Sequence, residues 1–303
     1  MAKETLPHKV VRVAGNIKRN VLFLMANDLS DRFYRTKDEA IEDVVYELEE
    51  NQELFPHLRL VGREDTLRLL GSDPKSLIRF GDYDIDTMEG RDTEYQEFDP
   101  VLADRLKNIL NEQHENCYVA INQSYFQSPF RFPERQHRFY RERGSRLRKC
   151  FLRECNPNSE YLDSTCFGAY YRFGDEYDFE GYYETVRGFF KDKDIVLVSG
   201  AGVFEKLEFD VFDLAKSKVI VHGPNKNAFK EYDDILERVT KIADRESSFI
   251  CAILGQTAKV LVADLADRGY LAWDIGHLAK DYDVYKRGLA KTKENMDAFW
   301  GAD

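Results

Sequence analysis

A Rossmann-like α/β fold with a mostly parallel sheet flanked by helices is predicted by three observations on this 303-residue sequence. Short apolar runs recur from residue 76 onward, helix-length stretches separate them, and several runs end in glycine, where a strand would turn into a helix. The runs SLIRF (76–80), CYVAI (117–121), DIVLVSG (194–200), KVIVHG (218–223), SFICAILG (248–255) and YLAWDIG (270–276) read as strands. Helices are expected over 100–113, 178–190, 205–217, 226–244, 256–268 and 278–297. Upstream, VLFLMA (21–26) reads as a buried strand. The following TKDEAIEDVVYELEENQEL reads as an amphipathic helix opened by Thr36 and Glu39 at capping-box spacing. The rhythm changes near residue 70, which divides the chain into an N-terminal α/β elaboration, 1–70, and a main domain, 71–303. In such sheets ligand sites form beyond the carboxyl ends of the strands.

Composition excludes several function classes. No apolar run approaches the roughly 20 residues that cross a bilayer. The segment MAKETLPHKVVRVAGNIKRN lacks the apolar middle of a secretory signal, so a cytoplasmic location is expected. Of the five cysteines, Cys150 and Cys155 are the closest pair, and no CxxC or Cys/His cluster argues for structural zinc. A net charge of −11 opposes general binding to phosphate polymers, so nucleic acid is not an expected partner. Charge is segregated, however: Arg131, Arg135, Arg138, Arg141, Arg143, Arg146, Arg148, Lys149 and Arg153 crowd one segment. That segment reads either as a diphosphate or anionic-acceptor clamp, as a peripheral membrane contact through 131–153, or as a solvated helix paired with Glu134, Glu142 and Glu154.

The strongest local motif is SLIRFGDYDID, in which Gly81 ends a strand and Asp82, Asp84 and Asp86 follow at alternate positions. In an extended segment these carboxylates share one face. Two of them can hold a hard divalent ion whose remaining positions go to water and diphosphate oxygens, and such an ion stabilises a leaving nucleotide diphosphate. The competing reading is an ordinary acidic turn after glycine. A second feature, ICAILGQTAKVLVADLADRGYLAWDIGH, is a βαβ unit in which Gly255 and Thr257 open a helix suited to an anion. It ends in Asp274, Gly276 and His277, the last either a general base or nucleotide contact, or a packed structural histidine. A GxGxxG dinucleotide fingerprint is not present there. In DIVLVSGAGVFE, Gly200 and Gly202 either shape a nucleotide pocket or make a plain βα turn. The aromatic stretch YLDSTCFGAYYRFGDEYDFEGYY suits either a sugar site or core packing.

Taken in order, SLIRFGDYDID, DLAKSKVIVHGPNKNAFKEYDDIL and AILGQTAKVLVADL followed by DIGH resemble the motifs of the GT-D-type glycosyltransferases, over roughly residues 76–280. In that family the first motif usually reads RFGDGE, with its Asp-x-Glu carboxylates associated with a divalent metal and a nucleotide-sugar donor. Arg79, Gly81 and Asp82 match directly, while Asp84 stands in the place of the glutamate and Tyr83 in that of a glycine. Asp210 and Phe212 keep the family's Asp-Leu-Phe without its preceding glycines, and Gln256 replaces a proline.

The resemblance implies a GT-D-like domain that moves a sugar from a nucleotide-diphosphate donor, a UDP-sugar, to a glycan or to a glycosylated protein or lipid, as in polysaccharide biosynthesis. It implies Mn²⁺ or Mg²⁺ on Asp82 and Asp84, with His277 as a further catalytic candidate. Donor contacts would come from Arg79, Gly81, Gly200, Asp210, Gly255, Thr257 and Asp274. Two other classes stay open: a noncatalytic relative that binds nucleotide or glycan, and a Rossmann-like nucleotide hydrolase. The setting expected is cytoplasmic, or peripheral at the inner face of the membrane.

Overall fold

The computed structural model describes residues 58–127 and 134–300, which all fall within one compact unit, Pro56–Asp303. The strand expected at 21–26 and the helix after it lie outside the described residues. Among the described residues eight strands form one sheet: β1 (Arg59–Leu60), β2 (Ser76–Arg79), β3 (Cys117–Ile121), β4 (Glu160–Asp163), β5 (Asp194–Gly200), β6 (Ser217–Gly223), β7 (Ser248–Ile253) and β8 (Leu271–Asp274). Their spatial order is β1-β4-β3-β2-β8-β7-β5-β6, and every pairing is parallel. Among the described residues the α-helices are α1 (Arg63–Ser72), α2 (Asp82–Met88), α3 (Pro100–Asn111), α4 (Glu134–Glu154), α5 (Phe179–Phe190), α6 (Tyr232–Ile242), α7 (Thr257–Asp267), α8 (Leu278–Lys286) and α9 (Lys293–Trp300).

Both faces of the sheet are covered, so the central strands read as continuous apolar runs. Ile78, Val196, Val198, Ile250 and Ala252 face one helical layer, and Leu77, Ile195, Leu197, Phe249 and Trp273 face the other. Trp273 is 1% exposed, with the rings of Phe167, Phe189, Phe190 and Phe249 around it and its indole N–H donating to the Lys75 carbonyl at 2.8 Å. Trp273→Phe keeps an aromatic ring but leaves a void and an unpaired carbonyl. It is expected to cost about 1–2 kcal/mol, read as a lowered midpoint of urea unfolding.

Three expectations are corrected. The stretch 205–217 is not helical but a run of turns crossing from β5 to β6. Its apolar spacing mimics a helix, yet its backbone is satisfied from outside: Asp283 accepts from the Glu208 and Phe209 amides, and Asp210 accepts from the Phe212 amide. The helix expected over 278–297 is two, α8 and α9, because Gly288 takes φ +62 and ends the first. Most consequentially, Asp82–Met88 is helical rather than extended. The Asp84 carboxylate, three residues into the turn, reaches back to the Gly81 amide at 2.8 Å, which is the reciprocal half of a capping box. Strands β1 and β4 carry too short an apolar signature, RL and EYLD, to be read from periodicity.

Chain order reverses across the sheet. From β2 it runs outward through β3 to β4, then crosses to β5 and β6 and returns through β7 to β8, which lands beside β2. A crevice therefore forms at the carboxyl ends of β2, β8 and β7, the place where open α/β sheets bind ligands.

Candidate active site

Arg79, the last residue of β2, spans the crevice floor. Its Nε donates to the Asp274 carbonyl at 2.8 Å and its Nη1 to the Ser164 carbonyl at 2.9 Å, while the guanidinium lies over Phe167. It thus ties β2 to the loops after β4 and β8. Gly276 is required here: its φ is +48, and a Cβ would sit 2.0 Å from Arg79 Nη2.

The helical start of α2 divides the acidic residues. Asp82 and Asp86, four apart, share a face, and that face meets α4. Arg143 donates to Asp82 Oδ2 at 2.9 Å and to Asp86 Oδ2 at 3.3 Å, and Arg146 contacts Asp86 Oδ1 at 2.7 Å and Glu89 at 2.5 Å. Arg143 and Arg146 therefore answer carboxylates on α2, across a helix interface. Asp84 points the other way. Its side chain is 4% exposed, and its Oδ1 lies 3.5 Å from the Lys259 ammonium, which also sits 3.0 Å from Asp274 Oδ2 and 3.1 Å from the Gly255 carbonyl. Burial, opposed by Lys259, raises the Asp84 carboxyl to about 6. Asp82 is also raised, by burial first, with Arg143 opposing.

At the head of α7, Gly255 adopts φ +52 and Gln256 Nε2 donates to Thr93 Oγ1 at 2.8 Å. The Thr257, Ala258 and Lys259 amides fold back in tight turns onto the Leu254, Gly255 and Gln256 carbonyls. The Thr257 hydroxyl is buried with no hydrogen-bond partner, as are Asp84 Oδ1 and Asp274 Oδ2 apart from the nearby ammonium. At the end of β8, Asp274 Oδ1 accepts from the Gly276 amide at 3.1 Å. His277 follows, 5.5 Å ring to ring from Phe299. Burial, with Lys280, Arg79 and Arg172 adding to it, pushes the His277 imidazole down to about 4. Because its folded value lies below the unfolded one near 6.5, the neutral ring contributes stability above that pH, and this is lost as pH falls toward 4. NMR titration of the histidine ring resonances is expected to show His277 unprotonated at pH 6, with its midpoint at about 4.

Arg79, Gly81, Asp82, Asp84, Gly255, Thr257, Asp274 and His277 thus gather on the ends of β2, β7 and β8. Gly200 ends the neighbouring β5, where a Cβ would meet Asn225 Oδ1 at 2.0 Å. Asp210 lies elsewhere, paired with Lys218 near the amino end of β6. Lys259 was not singled out from the sequence, although a lone charge within the buried run TAKVLVA was the signal for it.

A groove lined by Ile220, Val221, His222, Arg238, Lys241 and Ile242 lies at the β6 edge, away from this cluster. Among the described residues, no helix is long and apolar enough to cross a membrane, and no group of three or more His, Cys, Asp or Glu is arranged around a metal position.

Residues 77–301 match the family model described as "Glycosyltransferase GT-D fold". The "Probable glycosyl transferase Gly" of Streptococcus gordonii is 30% identical over 71% of this chain and 31% of its own length. "Glycosyltransferase GlyD" of Streptococcus pneumoniae serotype 4 is 28% identical over 78% of this chain and 28% of its own. The chain therefore spans less than a third of these curated relatives. A solved structure described by the words "The highly conserved domain of unknown function 1792 has a distinct glycosyltransferase fold" superposes with a TM-score of 0.72 at 30% identity, over 82% of this chain and 86% of that one. "A New Glycosyltransferase (DUF1792) from Streptococcus sanguinis" gives the same score and identity over 78% and 87%. The single parallel sheet, the order of the motifs along it and a family match over most of the sequence agree: this chain belongs to the GT-D-fold glycosyltransferases.

Proposed function

We propose that this domain transfers a sugar from a nucleotide-diphosphate donor, a UDP-sugar, to a glycan or to a glycosylated protein or lipid. One observation carries the reading: three neighbouring strands, β2, β8 and β7, each end beside a buried side-chain oxygen, the Thr257 hydroxyl without a hydrogen-bond partner and Asp84 Oδ1 and Asp274 Oδ2 with only the Lys259 ammonium beside them. Buried polar atoms are normally satisfied, so a cluster of unsatisfied ones marks where a polar ligand or ion completes the structure. The Thr257 hydroxyl would donate to a donor phosphate at the head of α7. Arg79 would hold the loops after β4 and β8 in place around it. His277, neutral at physiological pH, would present an imidazole able to accept a proton or hydrogen bond from a hydroxyl.

Asp84 suits a hard divalent ion in chemistry, because its Oδ1 is a buried carboxylate oxygen that no hydrogen bond satisfies, whereas Asp82, 28% exposed on the same helix, faces Arg143. Mn²⁺ or Mg²⁺ would be held on Asp84, which Asp82 would join only by leaving Arg143, and would supply Lewis-acid charge to the departing diphosphate. Calorimetric titration of UDP into the purified protein, with Mn²⁺ or with chelator, tests the reading. Metal-dependent binding supports it; no nucleotide binding by folded protein under either condition overturns it. Product analysis without acceptor separates transfer from hydrolysis. A cytoplasmic setting with peripheral contact to anionic membrane through 131–153 belongs to the same proposal, and vesicle binding that disappears in high salt would support it.

A further inference from the structure

Lys259 stands where three site loops meet. Its ammonium contacts Asp84 from the first turn of α2, Asp274 from the end of β8 and the Gly255 carbonyl from the turn after β7. Two buried carboxylates thus converge on one ammonium. The oxygens that face it, Asp84 Oδ1 at 3.5 Å and Asp274 Oδ2 at 3.0 Å, have no other partner. Two buried carboxylate oxygens converging on one point are what a hard cation takes. Here the cation between them is a side chain of the protein. The lysine side chain is only 11% exposed, and the aliphatic stem leaves from a helix packed on both β2 and β8, so the charge is held in place.

We propose that Lys259 is a resident counter-ion that competes with a divalent ion for Asp84, so that the ion enters the site together with the donor diphosphate and not before it. The inference rests on the donor-site reading above. In the free protein the ammonium neutralises Asp84 and repels a second cation a few ångströms away. A bound diphosphate brings negative charge that offsets this repulsion and offers the ion further oxygen ligands. Ion and nucleotide then bind with positive coupling, each raising the affinity for the other by the same factor.

The probes are Mn²⁺ alone, UDP alone and Mn²⁺ in saturating UDP, titrated by calorimetry into the wild-type chain and Lys259→Met. Wild type is expected to bind Mn²⁺ alone weakly, and Lys259→Met to bind it about tenfold or more tightly, since a neighbouring positive charge has been removed. The Mn²⁺–UDP coupling should shrink in Lys259→Met. Should this variant fold poorly, Lys259→Met/Asp274→Asn removes the second carboxylate with the ammonium, and it too should bind Mn²⁺ more tightly than wild type. Equal Mn²⁺ affinities in wild type and either folded variant overturn the proposal. The two readings fail separately. Absence of UDP binding in every arm sinks the donor-site reading, whereas tighter Mn²⁺ binding on loss of Lys259 still upholds the competition for Asp84.

Discussion

Asp82→Ala/Asp84→Ala is expected to lower metal-dependent UDP affinity by about a hundredfold or more, to the limit of calorimetric detection. Both proposed ion ligands go, and the charge lost is partly desolvated, where electrostatic interactions are strongest. Stability is expected to move far less, and the sign follows from Asp84. Burial holds its carboxyl near 6, above the unfolded value. A group raised in the folded state contributes stability below its unfolded value and loses it as pH rises through the folded one, so at pH 8 the buried Asp84 charge is a net cost. Removing it also leaves Lys259 opposite one carboxylate, Asp274, rather than two. Asp84→Asn should therefore melt at the same temperature as wild type or higher at pH 8, while binding nucleotide more weakly. Loss of stability comparable to the loss of binding would show that Asp84 serves the fold and not the ligand. Gain of stability with loss of function is the pattern expected of a site residue.

The second large effect concerns the fold around the site. Asp281 on α8 is 1% exposed and accepts hydrogen bonds from the Ala169 amide at 2.7 Å, the Tyr170 amide at 3.1 Å and the Tyr183 hydroxyl at 2.6 Å. Those donors belong to the aromatic stretch after β4 and to α5, so one carboxylate joins three segments. Asp281→Ala would strand all three inside a nest of rings that includes Tyr170, Tyr183, Tyr282 and Tyr285. It is expected to cost about 3–5 kcal/mol, as for other buried charged hydrogen-bond centres, and to appear as a sharply lower unfolding midpoint. Asp281→Asn keeps acceptor capacity for one or two of the bonds and should recover part of the loss. An Asp281→Ala protein with wild-type stability would refute this account.

Much of the sheet was legible in the sequence because burial on both faces writes itself as apolar runs. SLIRF, CYVAI, DIVLVSG and SFICAILG correspond to β2, β3, β5 and β7. The glycines at their ends, with DIGH after β8, located the crevice. The crossover at 205–217 misread as helix because spacing of Phe204, Leu207, Val211 and Phe212 records only that one side is buried. It does not record that Asp283, from a distant helix, supplies the backbone partners. The aromatic stretch around Tyr170 was ambiguous between a sugar platform and core, and much of it packs: Tyr171, Tyr182 and Tyr183 are each 5% exposed or less.

The sequence by itself determined the α/β class, the positions of the main strands and the family motifs, because these follow from local periodicity, turn chemistry and motif order. Tertiary structure alone decided how the acidic motif is used. Helix formation at Asp82 turned alternate carboxylates in opposite directions, Asp82 and Asp86 to the arginines of α4 and Asp84 to a lysine on α7. Arg79 found its carbonyl acceptor 195 residues away. Pairings of this kind depend on which strands become neighbours, and a parallel sheet joins segments far apart in the chain through crossovers, so no local pattern encodes them.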